Sequence, residues 1–383
     1  MSAGPGAGET DLASRWVGGN VVAASDESFG EKEYLLEPGP ARWEPGRFGP
    51  RGELVQGWET RRRRGEPGDD WVIVRLGAPG MVTAVDVDTT LFTGNHPQSC
   101  RVEATGVEGY PGPRELQGPA TTWETLVPET ALRGDEHNLL PVTDARRWTH
   151  LRLWAHPDGG VARLRVYGRA VPDPRRLEGL TIDLAGREYG GLVVDSSDDF
   201  YSSAEVLNRP DRARTMGEGW ETRRRRGGGH DWVLLRLALL GVAQRLIVDT
   251  SYYRYNASSA VSASGGQTTD GPWAALLERT ALQPDTVHEF NVADIGPVGL
   301  VRIEAYPDGG LSRLRLPGRV DAGALATAAR RWWDSLPAPQ AYGLLTSAGA
   351  DATTADELVA GRPDEVEGWS GAVAHYLGTF GAP

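Results

Sequence analysis

"GWETRRRR" occupies residues 57–64 and recurs unchanged at 219–226, and each copy runs on into a matching stretch, "DDWVIVRL" at 69–76 and "HDWVLLRL" at 230–237. The chain is an internal duplication. Working outward, "VVAASDESF" at 21–29 pairs with "LVVDSSDDF" at 192–200, and "VDVDTTLF" at 85–92 with "LIVDTSYY" at 246–253. The longest match sets "LRLWAHPDGGVARLRVYGR" at 151–169 beside "VRIEAYPDGGLSRLRLPGR" at 301–319. The blocks keep their order, so each copy of roughly 150 residues is a complete domain and not one turn of a solenoid, whose repeats run to about 20–50 residues.

Both copies read as strands. In "ARLRVYG" Leu164 and Val166 alternate with Arg163 and Arg165, Leu314 and Leu316 repeat the pattern, and Val85 and Val87 alternate with Asp86 and Asp88. Period 2 with one wet face is a half-buried strand. "HPDGG" and "YPDGG" put Pro, Asp and Gly where a tight turn between strands wants them. Helical periodicity is scarce before residue 320. The expected fold is all-β, two tandem antiparallel sandwiches of jelly-roll type.

The 383 residues carry 40 basic and 52 acidic side chains for a net charge of -12, a field that repels nucleic-acid phosphates and anionic membranes. No stretch approaches the roughly 18 apolar residues a membrane helix needs, and the first dozen residues read as a loose tail. Cys100 is the only cysteine, which excludes an intramolecular disulfide and a cysteine-cluster metal site. Those features point to a soluble cytoplasmic protein, with room for a homo-oligomer.

Taken together, the doubled "GWETRRRR" followed by "DW", the "DTTLFTGNHP" at 88–97 and the "PDGG" blocks that close each copy resemble the allantoicase (allantoate amidinohydrolase) family, from about residue 14 to about 320. The resemblance implies two galactose-binding-like jelly rolls, here at 14–172 and 185–320, and hydrolysis of allantoate to ureidoglycolate and urea. The rival class is a non-catalytic tandem jelly roll that binds a sugar or other small molecule. Ordered motifs in both copies favour the enzyme.

Allantoate carries one carboxylate and two ureido groups on one carbon, so a site needs a cation, hydrogen-bonding groups for flat ureas, and groups that move protons. In an extended run Arg61 and Arg63 point one way and Arg62 and Arg64 the other, so half of each quartet can enter a pocket. Arg61, Arg63, Arg223 and Arg225 are the substrate-binding candidates, with Glu59, Asp88, Asn95 and Glu221. Glu59 and Glu221 can carry a proton or brace an arginine, bracing being the simpler role. Asp70, His96, His230 and Asp231 are the catalytic candidates: His96 from its place on a loop after a strand, Asp70 and Asp231 because each precedes a Trp that opens a strand, and His230 because Asp69 stands at its place in the other copy. Two readings of the duplication follow: the arginine loops meet at a shared interface, or each run braces its own domain through local carboxylates. Trp58 and Trp220 read as core. No His has the spacing of a zinc hydrolase; a divalent metal held by scattered carboxylates and His is compatible with the sequence and not required by it.

Residues 321–383 lie outside the duplication and form a helical appendage. "DAGALATAARRWWDSLP" has an Asp start, Leu325, Ala328, Ala329 and Trp332 at helical spacing, and a stop at Pro337. The segment after it faintly resembles the opening of the ureidoimidazoline decarboxylase family; it is too short for that enzyme's catalytic portion and reads as a docking appendage of short helices.

Overall fold

The computed structural model describes residues 9–362 and 371–380. They divide into two compact units, one formed by residues up to Val171 with Trp333–Leu377 and the other by Pro172–Trp332 with the residues from Gly378. Each unit is built from antiparallel strands.

In the first unit eight strands share a sheet, in the order Thr10–Asp11, Arg163–Ala170, Asp70–Asp88, Arg147–His156, Ser99–Thr105, Glu124–Ala131, with Asn20–Ala24 and His137–Pro141 also paired to Asp70–Asp88. The single 19-residue strand Asp70–Asp88 pairs early with Arg147–His156 and late with Arg163–Ala170, so it serves both layers of the sandwich. Its inward residues, Val72, Val74, Leu76, Val85 and Val87, are fully buried with Leu151, Leu153, Leu164 and Val166 in one core, each contributing about 1.5–3 kcal/mol of transfer free energy. The second unit repeats this plan with the long strand divided into Asp231–Ala243 and Arg245–Asp249. Its sheets run Ile182–Asp183, Pro317–Val320, Asp231–Ala243, Val298–Tyr306, Ala260–Gly266, Trp273–Ala281, and, separately, Val287–Asn291, Arg245–Asp249, Arg313–Arg315. The jelly-roll expectation holds.

Two details depart from the sequence reading. Thr10–Asp11 pairs with Tyr167 and Gly168, and Leu12 is fully buried, so from Thr10 on the expected tail is sheet; residues 1–8 lie outside the described residues. The "wet" face of the closing strands is also covered. Arg163 and Arg313 are each 2% exposed, because their guanidiniums face the chain that leads into the arginine motif: Arg163 donates to the carbonyls of Gly39, Pro40 and Ala162 and to Gln56 Oε1, and Arg313 to Asp211 Oδ1 and the carbonyls of Glu218 and Ser312. A guanidinium whose donors are satisfied this way can be buried.

The helix Ala322–Ser335 starts where expected, with Asp321 Oδ1 accepting from Ala324 N at 3.1 Å. Three shorter helices follow, Ala338–Ser347, Ala352–Ala360 and Gly371–Leu377. Gln340 on the first of these donates to Glu108 Oε1 at 2.8 Å, the same oxygen that receives buried Arg147 at 2.6 Å. Residues 363–370, part of the segment with the faint decarboxylase resemblance, lie outside the described residues. No helix among the described residues is long and apolar enough to cross a membrane.

Glu188 gives the second unit a pH-dependent weakness. Burial drives its carboxyl from the ordinary 4.5 up to about 7, backbone hydrogen bonding opposing and the charge of Asp183 adding to the rise, and Oε2 is buried without a hydrogen-bond partner among the described residues. The folded state therefore holds its proton more tightly than the unfolded chain. That stability is full below pH 4.5 and is lost as pH rises to about 7. Glu188→Gln is expected to unfold at higher urea than wild type at pH 8, by up to about 3 kcal/mol, with the gap closing at pH 4.5. Equal midpoints at both pH values would contradict the assignment.

Candidate active site

In each unit the arginine run is set by the turn that closes the domain. Trp58–Glu59 pairs with Gly160–Val161, and Trp220–Glu221 with Gly310–Leu311. Asp158 Oδ2 accepts from Arg63 N at 2.7 Å, and Asp308 Oδ2 from Arg225 N at 2.8 Å. Gly159 N donates to Thr60 Oγ1 at 3.0 Å, and Gly309 N to Thr222 Oγ1 at 2.7 Å. The second glycine of each "PDGG" has a steric reason, since a Cβ on Gly160 would lie 2.0 Å from the Phe92 ring and one on Gly310 2.0 Å from the Asn256 carbonyl. Trp58 and Trp220 are fully buried as expected, and their indoles donate at 2.8 Å to the carbonyls of Asp26 and Asp198.

This frame uses several residues that the sequence assigned to substrate. Arg63 Nη2 holds Asp70 Oδ1 at 2.7 Å, Ser25 Oγ donates to the same oxygen at 2.9 Å, and Asp70 is 1% exposed. The second unit repeats the arrangement with Arg225 Nε 2.7 Å and Ser197 Oγ 3.0 Å from Asp231 Oδ1. Burial raises the Asp231 carboxyl, but the hydrogen bonds from Thr222, Arg225 and Ser197 outweigh it and hold the group below the usual carboxylate range. Asp70 and Asp231 are thus buried partners of Arg63 and Arg225, and Asp70 is not among the residues lining the first-unit cleft. Asp88 is buried as well, its Oδ1 accepting from Thr90 N at 2.8 Å in a local turn that Asp249 and Ser251 repeat. His230 packs on the Tyr306 ring at 4.6 Å and faces Glu304 at 3.5 Å, while its counterpart Asp69 takes His156 Nδ1 at 3.1 Å. Both His230 partners lie on the neighbouring strand Val298–Tyr306.

What remains open in the first unit is a cleft of about 930 Å3, lined by Glu59, Arg61, Arg62, Arg64, Asn95, His96 and Gln98, with Phe29 and the "PDG" turn completing its walls. Arg61 is engaged by Glu66 at 3.0 Å and lies 3.8 Å from Asp26; Arg223 likewise lies 3.8 Å from Asp198. Bracing by local carboxylates therefore describes Arg61, Arg63, Arg223 and Arg225. Arg62 and Arg64 make no ion pair among the described residues, and Arg64 is held at φ 45, a conformation uncommon for a side chain with a Cβ. The alternation along the run selected the other half of the quartet.

Glu59 makes no ion pair with an arginine among the described residues. It is half-buried and accepts from Asn95 Nδ2 at 2.8 Å. Burial raises its carboxyl above the ordinary range, against the lowering effect of the Asn95 hydrogen bond and the Arg62 charge. Glu221 and Asn256 repeat the pair at 2.7 Å. His96 lines the cleft as well, its Nδ1 buried beside Gly134 without a hydrogen-bond partner among the described residues. Cys100 is buried and its thiol is pushed up to about 12, as suits a small core residue. No group of three or more His, Cys, Asp or Glu side chains among the described residues could hold a metal ion. The cleft can hold an anion on its guanidiniums and exchange protons through one carboxyl and one imidazole.

The family model "Allantoicase repeat" matches twice, over residues 10–171 and 182–321. A probable allantoicase of Nocardia farcinica is 48% identical over 311 residues, which cover 81% of this chain and 94% of that protein. One of Streptomyces coelicolor is 45% identical over 84% of this chain and 88% of its own length. The crystal structure of an allantoicase from Saccharomyces cerevisiae superposes with a TM-score of 0.69 at 32% identity, covering 81% of this chain and 93% of that one.

Proposed function

Because the chain belongs to the allantoicase family and hydrolyses allantoate to ureidoglycolate and urea, we propose that the first-unit cleft is where the carbon–nitrogen bond is broken. One observation carries this reading: Arg62 and Arg64, which make no ion pair among the described residues, stand in one cleft with a half-buried carboxyl and an imidazole. Arg62 and Arg64 take the substrate carboxylate. Asn95 fixes the Glu59 carboxyl through the 2.8 Å hydrogen bond and so aims its other oxygen at the ureido nitrogens.

The chemistry divides between two groups. Urea leaves as an amine, so its nitrogen must gain a proton as the carbon–nitrogen bond breaks, and the raised affinity of Glu59 for a proton suits it to be that acid. The water that forms the new carbon–oxygen bond gives its proton to His96, and solvent returns a proton from His96 to Glu59 to close the cycle. Each group handles one proton, and no further reactant is needed. The cytoplasm is the compartment we infer, since the lone cysteine is buried and unpaired.

A shift of pH dependence tests the pairing. The Arg62 charge lowers the Glu59 carboxyl, so removing it raises the pKa further. Arg62→Gln should move the alkaline limb of kcat/KM for urea release to higher pH, besides raising KM. A limb that stays in place, or moves to lower pH, would overturn Glu59 as the acid.

A further inference from the structure

We propose that the second unit carries a ligand site of its own, which takes a small carboxylate bearing a ureido group and holds it without hydrolysing it. The inference rests on the reading of the first-unit cleft given above, because it asks what the same frame does when part of the cleft is exchanged.

The glutamate–asparagine pair and the anchors of the third arginine are reproduced. The Glu221–Asn256 pair at 2.7 Å copies Glu59–Asn95 at 2.8 Å. Arg225, anchored by Asp231 and Asp308, copies Arg63 with Asp70 and Asp158. Arg224 and Arg226, the counterparts of Arg62 and Arg64, are exposed and make no ion pair among the described residues. A pair of exposed guanidiniums without ion-pair partners among the described residues, next in the motif to a carboxylate oriented by an amide, offers contacts for one anionic end and one flat donor-rich end.

The exchanged positions are those that would move protons or shape the cleft. The loop "TGNHPQ" at 93–98 is replaced by "RYNASS" at 254–259, so Ala257 stands where His96 does and Ser259 where Gln98 does. The base assigned to the attacking water is missing, while both ends of the binding frame remain. In place of Gly94 stands Tyr255, 98% exposed, and in place of Phe29 stands Phe200, 56% exposed, over which the Arg223 guanidinium lies at 4.2 Å. Tyr201 meets Phe200 edge to face at 4.8 Å. Exposed aromatic faces beside cations suit a planar ureido group, which can stack where it cannot be buried.

Equilibrium binding of N-carbamoylglycine tests this. That probe has the carboxylate and one ureido group but lacks the second ureido group that the reaction expels, so it stays intact. Wild-type protein is expected to bind two equivalents per chain. Arg224→Gln/Arg226→Gln should bind one and keep kcat for allantoate within about twofold, whereas Arg62→Gln/Arg64→Gln should bind one and lose turnover by about a hundredfold or more. One equivalent on wild type, or a loss of turnover in the Arg224/Arg226 variant as large as in the Arg62/Arg64 variant, overturns the second site. Full turnover in the Arg62/Arg64 variant would instead sink the first-unit assignment, and the count of bound probe would still report on the second unit by itself.

Discussion

Glu59→Gln is expected to lower kcat for urea release by about 10²–10⁴-fold, the contribution of a positioned general acid. Gln keeps the shape and can still hydrogen-bond to Asn95, so the substitution removes the transferable proton and little else. KM should change far less than kcat, because the substrate carboxylate is held by Arg62 and Arg64 and not by Glu59. His96→Ala should be similarly slow, and the double variant should lose much less than the product of the two losses, since acid and base serve one cycle. A Glu59→Gln protein with wild-type kcat would remove the acid from the mechanism.

Asp70→Ala is expected to destabilise the first unit by about 3 kcal/mol, measured as a fall in the urea midpoint. The Asp70 side chain is 2% exposed and that of Arg63 17%, so truncating the carboxylate leaves a largely buried guanidinium without its counterion. The effect belongs at the low end of the range for broken buried pairs, because Arg63 keeps its bonds to the carbonyls of Pro67 and Asp69. Asp70→Asn should cost less, as it keeps an oxygen for Ser25 Oγ. Two variants as stable as wild type would show that the arginine run is fixed by the "PDGG" turn alone.

The duplication, the strand pattern, the buried Trp pair and the turn that ends each domain were legible because they are local or repeated, and a repeat reports twice on the same constraint. Which arginines face the cleft was not. The alternation rule assumed an extended strand, yet residues 61–64 lie outside any strand and Arg63 is positioned by Asp158, 95 residues further along, and by Asp70, which Ser25 also holds. Those partners were visible as the shared "SD" of "AASDESF" and "DSSDDF" and the Asp of "PDGG", but nothing short of the fold brings them together. The same holds for Arg163, whose burial depends on carbonyls more than 100 residues away. For Glu59, a substrate-binding candidate, the sequence left proton carrying and bracing both open and favoured bracing because the nearest arginines are two residues on; its hydrogen-bond partner is Asn95, on a loop that the sequence did mark as functional.

The most direct measurement is therefore the turnover of Glu221→Gln, run beside Glu59→Gln on folded protein. The two glutamates occupy one position of one motif, each paired with its own asparagine, and differ in whether an imidazole stands beside them. Glu221→Gln is expected to release urea from saturating allantoate at a rate within a few-fold of wild type while Glu59→Gln falls by orders of magnitude. Collapse of Glu221→Gln with Glu59→Gln left active would place the chemistry in the other repeat and contradict the first-unit assignment.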